Sequence, residues 1–265
     1  MLLEEARIIG LVRSDSVLFL DALQYSALVT RQYLDPVRLG GFEVLDGTQF
    51  GHGELFFLEK ACKKSHAPFV FTPRTHTLDS NTEKVMALVL KIASAAEAII
   101  VFTKYEKEYY AGKGIDPNKI FITGIGVRPE AFEPPASMMF RAEHGIPRDH
   151  SIVLHIAMME KYKGADLLIE GMREVWKRKP NSTLVLIGKS TSYTQDIEQI
   201  AKKETRIVVL PDASEKIKKE ALFAATLLVN PSQFESFGGV FLEAWAAGKT
   251  VIGAKTPVSE CVIDE

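Results

Sequence analysis

The chain has 265 residues, 46% hydrophobic and 25% charged, with a formal net charge of −2. That is the make-up of a globular protein with room for one or two domains, and it excludes a general drive toward nucleic acid or anionic membrane. Cys62 and Cys261 are the only cysteines, far apart and without metal-ligand spacing, so the chemistry of a reduced, cytosolic setting fits better than a disulfide framework or a zinc site. The N-terminus lacks the basic-then-apolar layout of a signal peptide. The most apolar long stretch, 86–102, is broken by Lys91 and Glu97 and does not read as a membrane span.

In chain order, short apolar runs at 16–20, 43–46, 68–72, 98–103 and 119–123 predict strands, and runs at 151–157, 183–188, 206–210, 226–230 and 250–254 predict five more. They are apolar throughout rather than alternating, as strands buried on both faces of a parallel sheet are. Amphipathic stretches separate them. In 164–177, Leu167, Leu168, Gly171, Met172, Val175 and Trp176 share one helical face. The helical stretch 54–65 carries Lys60, Lys63 and Lys64, a solvated face or a basic face toward a lipid. The alternation pauses at 128–150, a proline-containing polar stretch that reads as a linker. The fold class predicted is α/β, with two Rossmann-like doubly wound parallel-sheet domains facing a cleft, 1–135 and 136–265. The chain opens on a helical pattern and stops just after a strand and turn, so both domains are expected to be incomplete.

The stretch 230–248, NPSQFESFGGVFLEAWAAG, carries the strongest chemical signal. An apolar run ends at Asn230-Pro231, a loop brings Glu235, and Gly238-Gly239 open a helix that carries Glu243 on its second turn. Glycines at a helix start expose N–H groups that lack intrahelical partners, at the dipole end that favours anions. Two carboxylates flanking such a seat suit a ligand with both phosphates and hydroxyls, as a nucleotide-sugar has. A second motif, Met159 to Gly164, lies between a strand and a helix, where Lys163 is a compact charge for a diphosphate. A third, Thr72-Pro73-Arg74-Thr75-His76-Thr77, follows the strand at 68–72. For an isolated glutamate, lysine or histidine the ordinary reading is a solvated or structural side chain, and the surrounding pattern is what favours function here.

Together the stretch 228–260, with its Glu-x7-Glu spacing, and the Lys163-Gly164 element resemble the family 4 glycosyltransferases, retaining enzymes of GT-B fold that use nucleotide-sugars. The resemblance implies that Glu235 bonds the donor sugar, that backbone N–H groups of Phe237, Gly238 and Gly239 face the sugar and distal phosphate, and that Glu243 accepts from the ribose hydroxyls. It also implies that Lys163 meets the leaving diphosphate and that His76 contacts the donor sugar, with Arg74 near phosphate or an anionic acceptor. Gly188, followed by Lys189, would lie near the donor phosphate or sugar, and Leu210-Pro211 against the nucleobase. The segment 122–132 resembles the family's exit from its first domain.

One departure stands out. Where the family carries an Arg about five residues before its Lys, this chain has Ala157-Met158, leaving Lys161 or Lys189 to substitute. A strand and Gly-rich loop usual at the family's start are also not found. The chain has no Asp-x-Asp, so no metal is expected, and no cofactor beyond the donor substrate. It has no Walker loop, no complete dinucleotide fingerprint and no nucleophile elbow either. The expected partners are a nucleotide-sugar and an acceptor sugar or lipid, in the cytoplasm, with peripheral contact at the inner membrane face left open. The competing expectation is a truncated or degenerate nucleotide-binding protein of the same fold that does no chemistry.

Overall fold

A computed structural model of the protein describes residues 45–48, 68–74, 82–136 and 139–263. The strand expected at 16–20, the helix at 54–65 and His76 lie outside these residues. The chain divides into two compact units, 1–124 and 125–265.

In the first unit, β1 (Leu45–Thr48), β2 (Phe69–Thr72), β3 (Ala98–Val101) and β4 (Ile120–Ile122) form a parallel sheet in that order. The α1 helix (Thr82–Ala95) carries the chain from β2 to β3, and α2 (Lys104–Gly112) follows β3. A reciprocal cap starts α2: Thr103 Oγ1 accepts from the Glu106 N–H at 3.1 Å, and Glu106 Oε2 accepts from the Thr103 N–H at 3.3 Å. Phe69, Phe71, Val89, Ile92, Ile99 and Tyr110 build the core of this unit.

The second unit holds β5 (Ser151–Ile156), β6 (Ser182–Gly188), β7 (Ile207–Pro211), β8 (Leu227–Asn230) and β9 (Thr250–Gly253) in a parallel sheet ordered β7-β6-β5-β8-β9. Its helices are α3 (Phe140–Glu143), α4 (Ala165–Arg178), α5 (Thr194–Ala201), α6 (Glu215–Ala224), α7 (Gly239–Ala246) and α8 (Pro257–Ile263). Successive strand residues enter different cores. Val153, Leu184 and Leu186 pack with Ile169, Met172 and Trp176 of α4. Leu154, Val185, Ile187 and Leu228 pack with Ala221 of α6 and Phe241 of α7. Two cores, one on each face, are why these strands read as unbroken apolar runs.

Three expectations are refined. The buried stripe of α4 is Ala165, Ile169, Met172 and Trp176, while Leu167 and Val175 are exposed. That stripe follows the helical period, and Leu167 and Val175 fall to one side of it. The strand expected at 43–46 runs from Leu45 to Thr48. Beside the division expected at 135/136, the compact units meet at 124/125. Residues 125–136 go with the second unit, because Lys219 Nζ donates to the Glu130 carbonyl at 2.6 Å and a Cβ on Gly239 would stand 3.0 Å from Ile125 Cδ1. Part of the expected linker is ordered as a 3₁₀ turn, Pro129–Phe132, and as α3.

Candidate functional site

The strand order β7-β6-β5-β8-β9 reverses direction between β5 and β8, and ligands of open α/β sheets bind outside the carboxyl ends of the strands at such a reversal. Here the two strands part. β5 pairs with β8 only at Val153–Leu227 and Leu154–Leu228, yet it stays paired with β6 as far as Ile156–Ile187. β8 likewise stays with β9 to Asn230–Gly253. His155 bridges the opening, its Nδ1 standing 2.9 Å from the Val229 carbonyl.

The loops leaving β5 and β8 close over this point. Lys163 ends a single 3₁₀ turn, Lys161–Lys163, and Gly164 then takes a left-handed φ of 76° to enter α4. A Cβ on Gly164 would lie 2.9 Å from the Pro231 carbonyl oxygen, so the two loops meet where only glycine fits. The Gln233 N–H donates to the Tyr162 carbonyl at 2.9 Å, and the Tyr162 and Phe234 rings stand 5.9 Å apart. The result is a short ion pair: Lys163 Nζ lies 2.7 Å from Glu235 Oε1, with about a tenth of each side chain exposed, 10% and 12%. Asn230 Nδ2 donates to the same oxygen at 3.3 Å, and Lys163 Nζ also reaches the Phe234 carbonyl at 3.4 Å.

Beneath the pair the polar groups are incompletely matched. A carbonyl only accepts, so His155 Nδ1 carries the proton toward Val229 and Nε2 is left as an acceptor. Among the described residues, His155 Nε2 and Asn230 Oδ1 are buried without a hydrogen-bond partner. Each such group costs about 1–3 kcal/mol. Burial holds the His155 imidazole below its ordinary pKa and the Lys163 ammonium adds to this, while the Val229 carbonyl and the Glu235 charge pull the other way.

The remaining sequence candidates are spread along the same edge of the sheet. Gly238 has a left-handed φ of 86° and precedes α7, which starts at Gly239. Phe241 packs under that turn, close enough that a Cβ on Gly238 would meet its ring at 2.7 Å. Phe237 and Gly239 flank Gly238 in this turn. Glu243 sits apart from the Lys163–Glu235 pair, 3.1 Å from Lys218 of α6, which also pairs with Glu215 at 2.8 Å. Burial disfavours the Lys218 charge, but its bond to Glu215 and the nearby Glu243 carboxylate outweigh that and raise its pKa.

Gly188 ends β6 directly against β5, where a Cβ would come 1.6 Å from the Ala157 carbonyl oxygen, so a packing requirement alone accounts for glycine there. Leu210 packs into the core shared with α6 and α7. Met158, at the position of the family's Arg, is exposed, and so is Lys161. In the first unit Arg74 takes a φ of 47° and its guanidinium lies 5.9 Å from the Phe102 ring centre.

The site therefore joins Lys163 and Glu235, while Glu243 keeps separate company. The sequence reading had not singled out His155, Asn230, Lys218, Tyr162 or Phe234 as site residues. For two of these a signal was available: a His and an Asn near the ends of otherwise apolar strands.

A cation and a carboxylate meeting at the reversal point of a doubly wound sheet, beside a glycine-opened helix, mark a candidate ligand site on a Rossmann-like domain. Residues 139–265, most of the second unit, match the family model described as glycosyl transferases group 1.

A D-inositol 3-phosphate glycosyltransferase of Segniliparus rotundus is 32% identical over 154 residues, covering 56% of this chain and 34% of that protein. A protein of the same description from Kineococcus radiotolerans is 29% identical over 177 residues, covering 62% and 41%. The chain thus spans 34% and 41% of the length of these two curated relatives. Among solved structures, Anabaena Alr3699/HepE in complex with UDP and glucose superposes with a TM-score of 0.76 at 17% identity, covering 90% of this chain and 65% of that one. WaaG, a glycosyltransferase involved in lipopolysaccharide biosynthesis, gives 0.67 at 17% identity, covering 95% and 68%. These likenesses bear out the family 4 resemblance and the GT-B fold class.

Proposed function

We propose that this chain acts as a retaining glycosyltransferase that moves a sugar from a nucleoside-diphosphate sugar to an acceptor sugar or lipid, with the donor held by its second unit. The observation that carries the reading is the meeting of Lys163 and Glu235, 2.7 Å apart, at the parting of β5 and β8. Lys163 would leave Glu235 for the diphosphate and stabilise it as it departs, a contact that strengthens as negative charge develops there. Glu235, freed of its cation, would accept two hydroxyls of the donor sugar, because an ionised carboxylate only accepts. Phe237, Gly238 and Gly239 would turn backbone N–H groups toward the distal phosphate. Glu243 would hold the ribose diol, and the backbone at Leu210 and Gly188 would lie along the nucleobase and phosphate. The family resemblance also gives His76 a contact with the donor sugar.

The reaction breaks the bond between the anomeric carbon and the diphosphate oxygen and forms a bond to the acceptor oxygen on the same face. The electron pair leaves on the diphosphate, which also takes up the acceptor hydroxyl's proton. No metal step is part of this reading, because the sequence lacks the Asp-x-Asp ligands such a step would need.

A thermal-shift and turnover screen of UDP, GDP and ADP and their hexose forms tests the reading, repeated with Glu243→Ala and Lys163→Ala. Stabilisation by one nucleotide, lost in both variants, together with slow donor hydrolysis, supports it. Nucleotide binding without any turnover supports a non-catalytic nucleotide-binding protein instead, and no binding refutes both.

A further inference from the structure

We infer that Asn230, backed by His155, is a positioning residue that holds the Glu235 carboxylate once Lys163 has been drawn away by the ligand. The inference rests on the reading of Glu235 as a donor-sugar ligand. Oε1 of Glu235 has two donors, Lys163 Nζ at 2.7 Å and Asn230 Nδ2 at 3.3 Å. A diphosphate competes for the first, since it offers the ammonium a more concentrated negative charge. The second cannot be taken in the same way, because Asn230 is buried at the end of β8 and is neutral.

The backbone around Asn230 is pinned from both sides. His155 bonds the carbonyl of Val229 at 2.9 Å, and the Asn230 carbonyl accepts from the Ala254 N–H at 3.1 Å. The amide is therefore a fixed donor on rigid backbone beneath a carboxylate that changes partners.

His155 Nε2 and Asn230 Oδ1 both lack partners among the described residues, and both lie at the parting of the same two strands. An apolar residue at either place would continue the strand without that penalty. Buried polar atoms left unpaired in this way call for a reason other than stability. Support of the carboxylate supplies one for Asn230, and for His155 as the group that fixes the strand end.

Isothermal titration of the full chain tests this with four probes: UDP, GDP, UDP-glucose and GDP-mannose. The readout is the sugar increment, the ratio of the Kd for the diphosphate to the Kd for its sugar form. Asn230→Leu is expected to reduce the increment about tenfold, leave the affinity for the bare diphosphate unchanged within about twofold, and keep or raise Tm because an unmatched oxygen is removed. Asn230→Asp, which sets an acceptor against Glu235, should also lose the increment and lower Tm. His155→Leu should move the increment the same way by less.

An unchanged increment in Asn230→Leu overturns the inference. So does a parallel fall of Tm and of both affinities, which would mark a merely structural role. A wild type that binds the diphosphates without any sugar increment overturns the reading of Glu235 itself, and the inference falls with it. A wild type that binds none of the four probes removes the nucleotide reading.

Discussion

Gly188 offers the sharpest test of how this sheet is built. Replacing it with alanine would set a methyl carbon 1.6 Å from the Ala157 carbonyl oxygen and 2.5 Å from the carbonyl carbon. Carbon and oxygen come no closer than roughly 3.3 Å in ordinary packing, so β5 and β6 would have to separate by more than an ångström. Neither wall is a side chain that can rotate away. The Ala157 N–H is bonded to the Ile187 carbonyl at 3.0 Å, and the Gly188 carbonyl accepts from Asp212 at 2.8 Å. Overpacking a core costs about 1–3 kcal/mol where side chains can give, and more where backbone must. The expected loss for Gly188→Ala is therefore about 3 kcal/mol or more.

Urea unfolding at fixed pH measures it, with Gly171→Ala as the control. Gly171 lies within α4 and a Cβ there would meet nothing within 4 Å. That variant should gain about 0.5–1 kcal/mol from helix propensity and a stiffer unfolded chain. A Gly188→Ala protein within about 1 kcal/mol of wild type would refute the close approach of β5 and β6, and with it the claim that this glycine answers to packing.

Other expectations follow from the same geometry. The His155 imidazole is held below its ordinary value of 6.5, so the folded protein binds fewer protons than the unfolded chain between the folded value and 6.5. Its contribution is intact above 6.5 and falls as pH drops through that window, by at most about 1.4 kcal/mol per pH unit. Wild type and His155→Leu compared by chemical unfolding across this range should differ in slope, and parallel curves would remove the effect. Phe241 is fully buried beneath the Gly238 turn, so Phe241→Ala should cost about 3–5 kcal/mol in the same assay. Trp176 Nε1 donates to the Ser182 carbonyl at 2.9 Å, and Trp176→Phe should cost about 1 kcal/mol, read as a lower Tm.

Much of this protein was legible from the order of its residues. Strands buried on both faces are apolar at every position, and helices alternate with them, so among the described residues the parallel sheets and nearly all strand positions followed from local pattern. Lys163-Gly164 and Glu235 through Glu243 were visible for a related reason: glycines mark where backbone must turn sharply or come close, and the charges beside them mark what the turn presents. What local pattern does not carry is which strand lies beside which. Only the order β7-β6-β5-β8-β9 makes β5 and β8 neighbours and so sets Lys163 against Glu235 across 72 residues of chain. The same adjacency sets His155 against the Val229 carbonyl, and Asn230 meets Glu235, contacts that two polar residues in apolar strands do not announce. The pairing of β5 with β6 likewise sets Gly188 against the backbone leaving β5. Side-chain period records which face a residue occupies but nothing of its neighbour across the sheet. That neighbour is decided by how the crossover helices pack, which is a property of the whole fold.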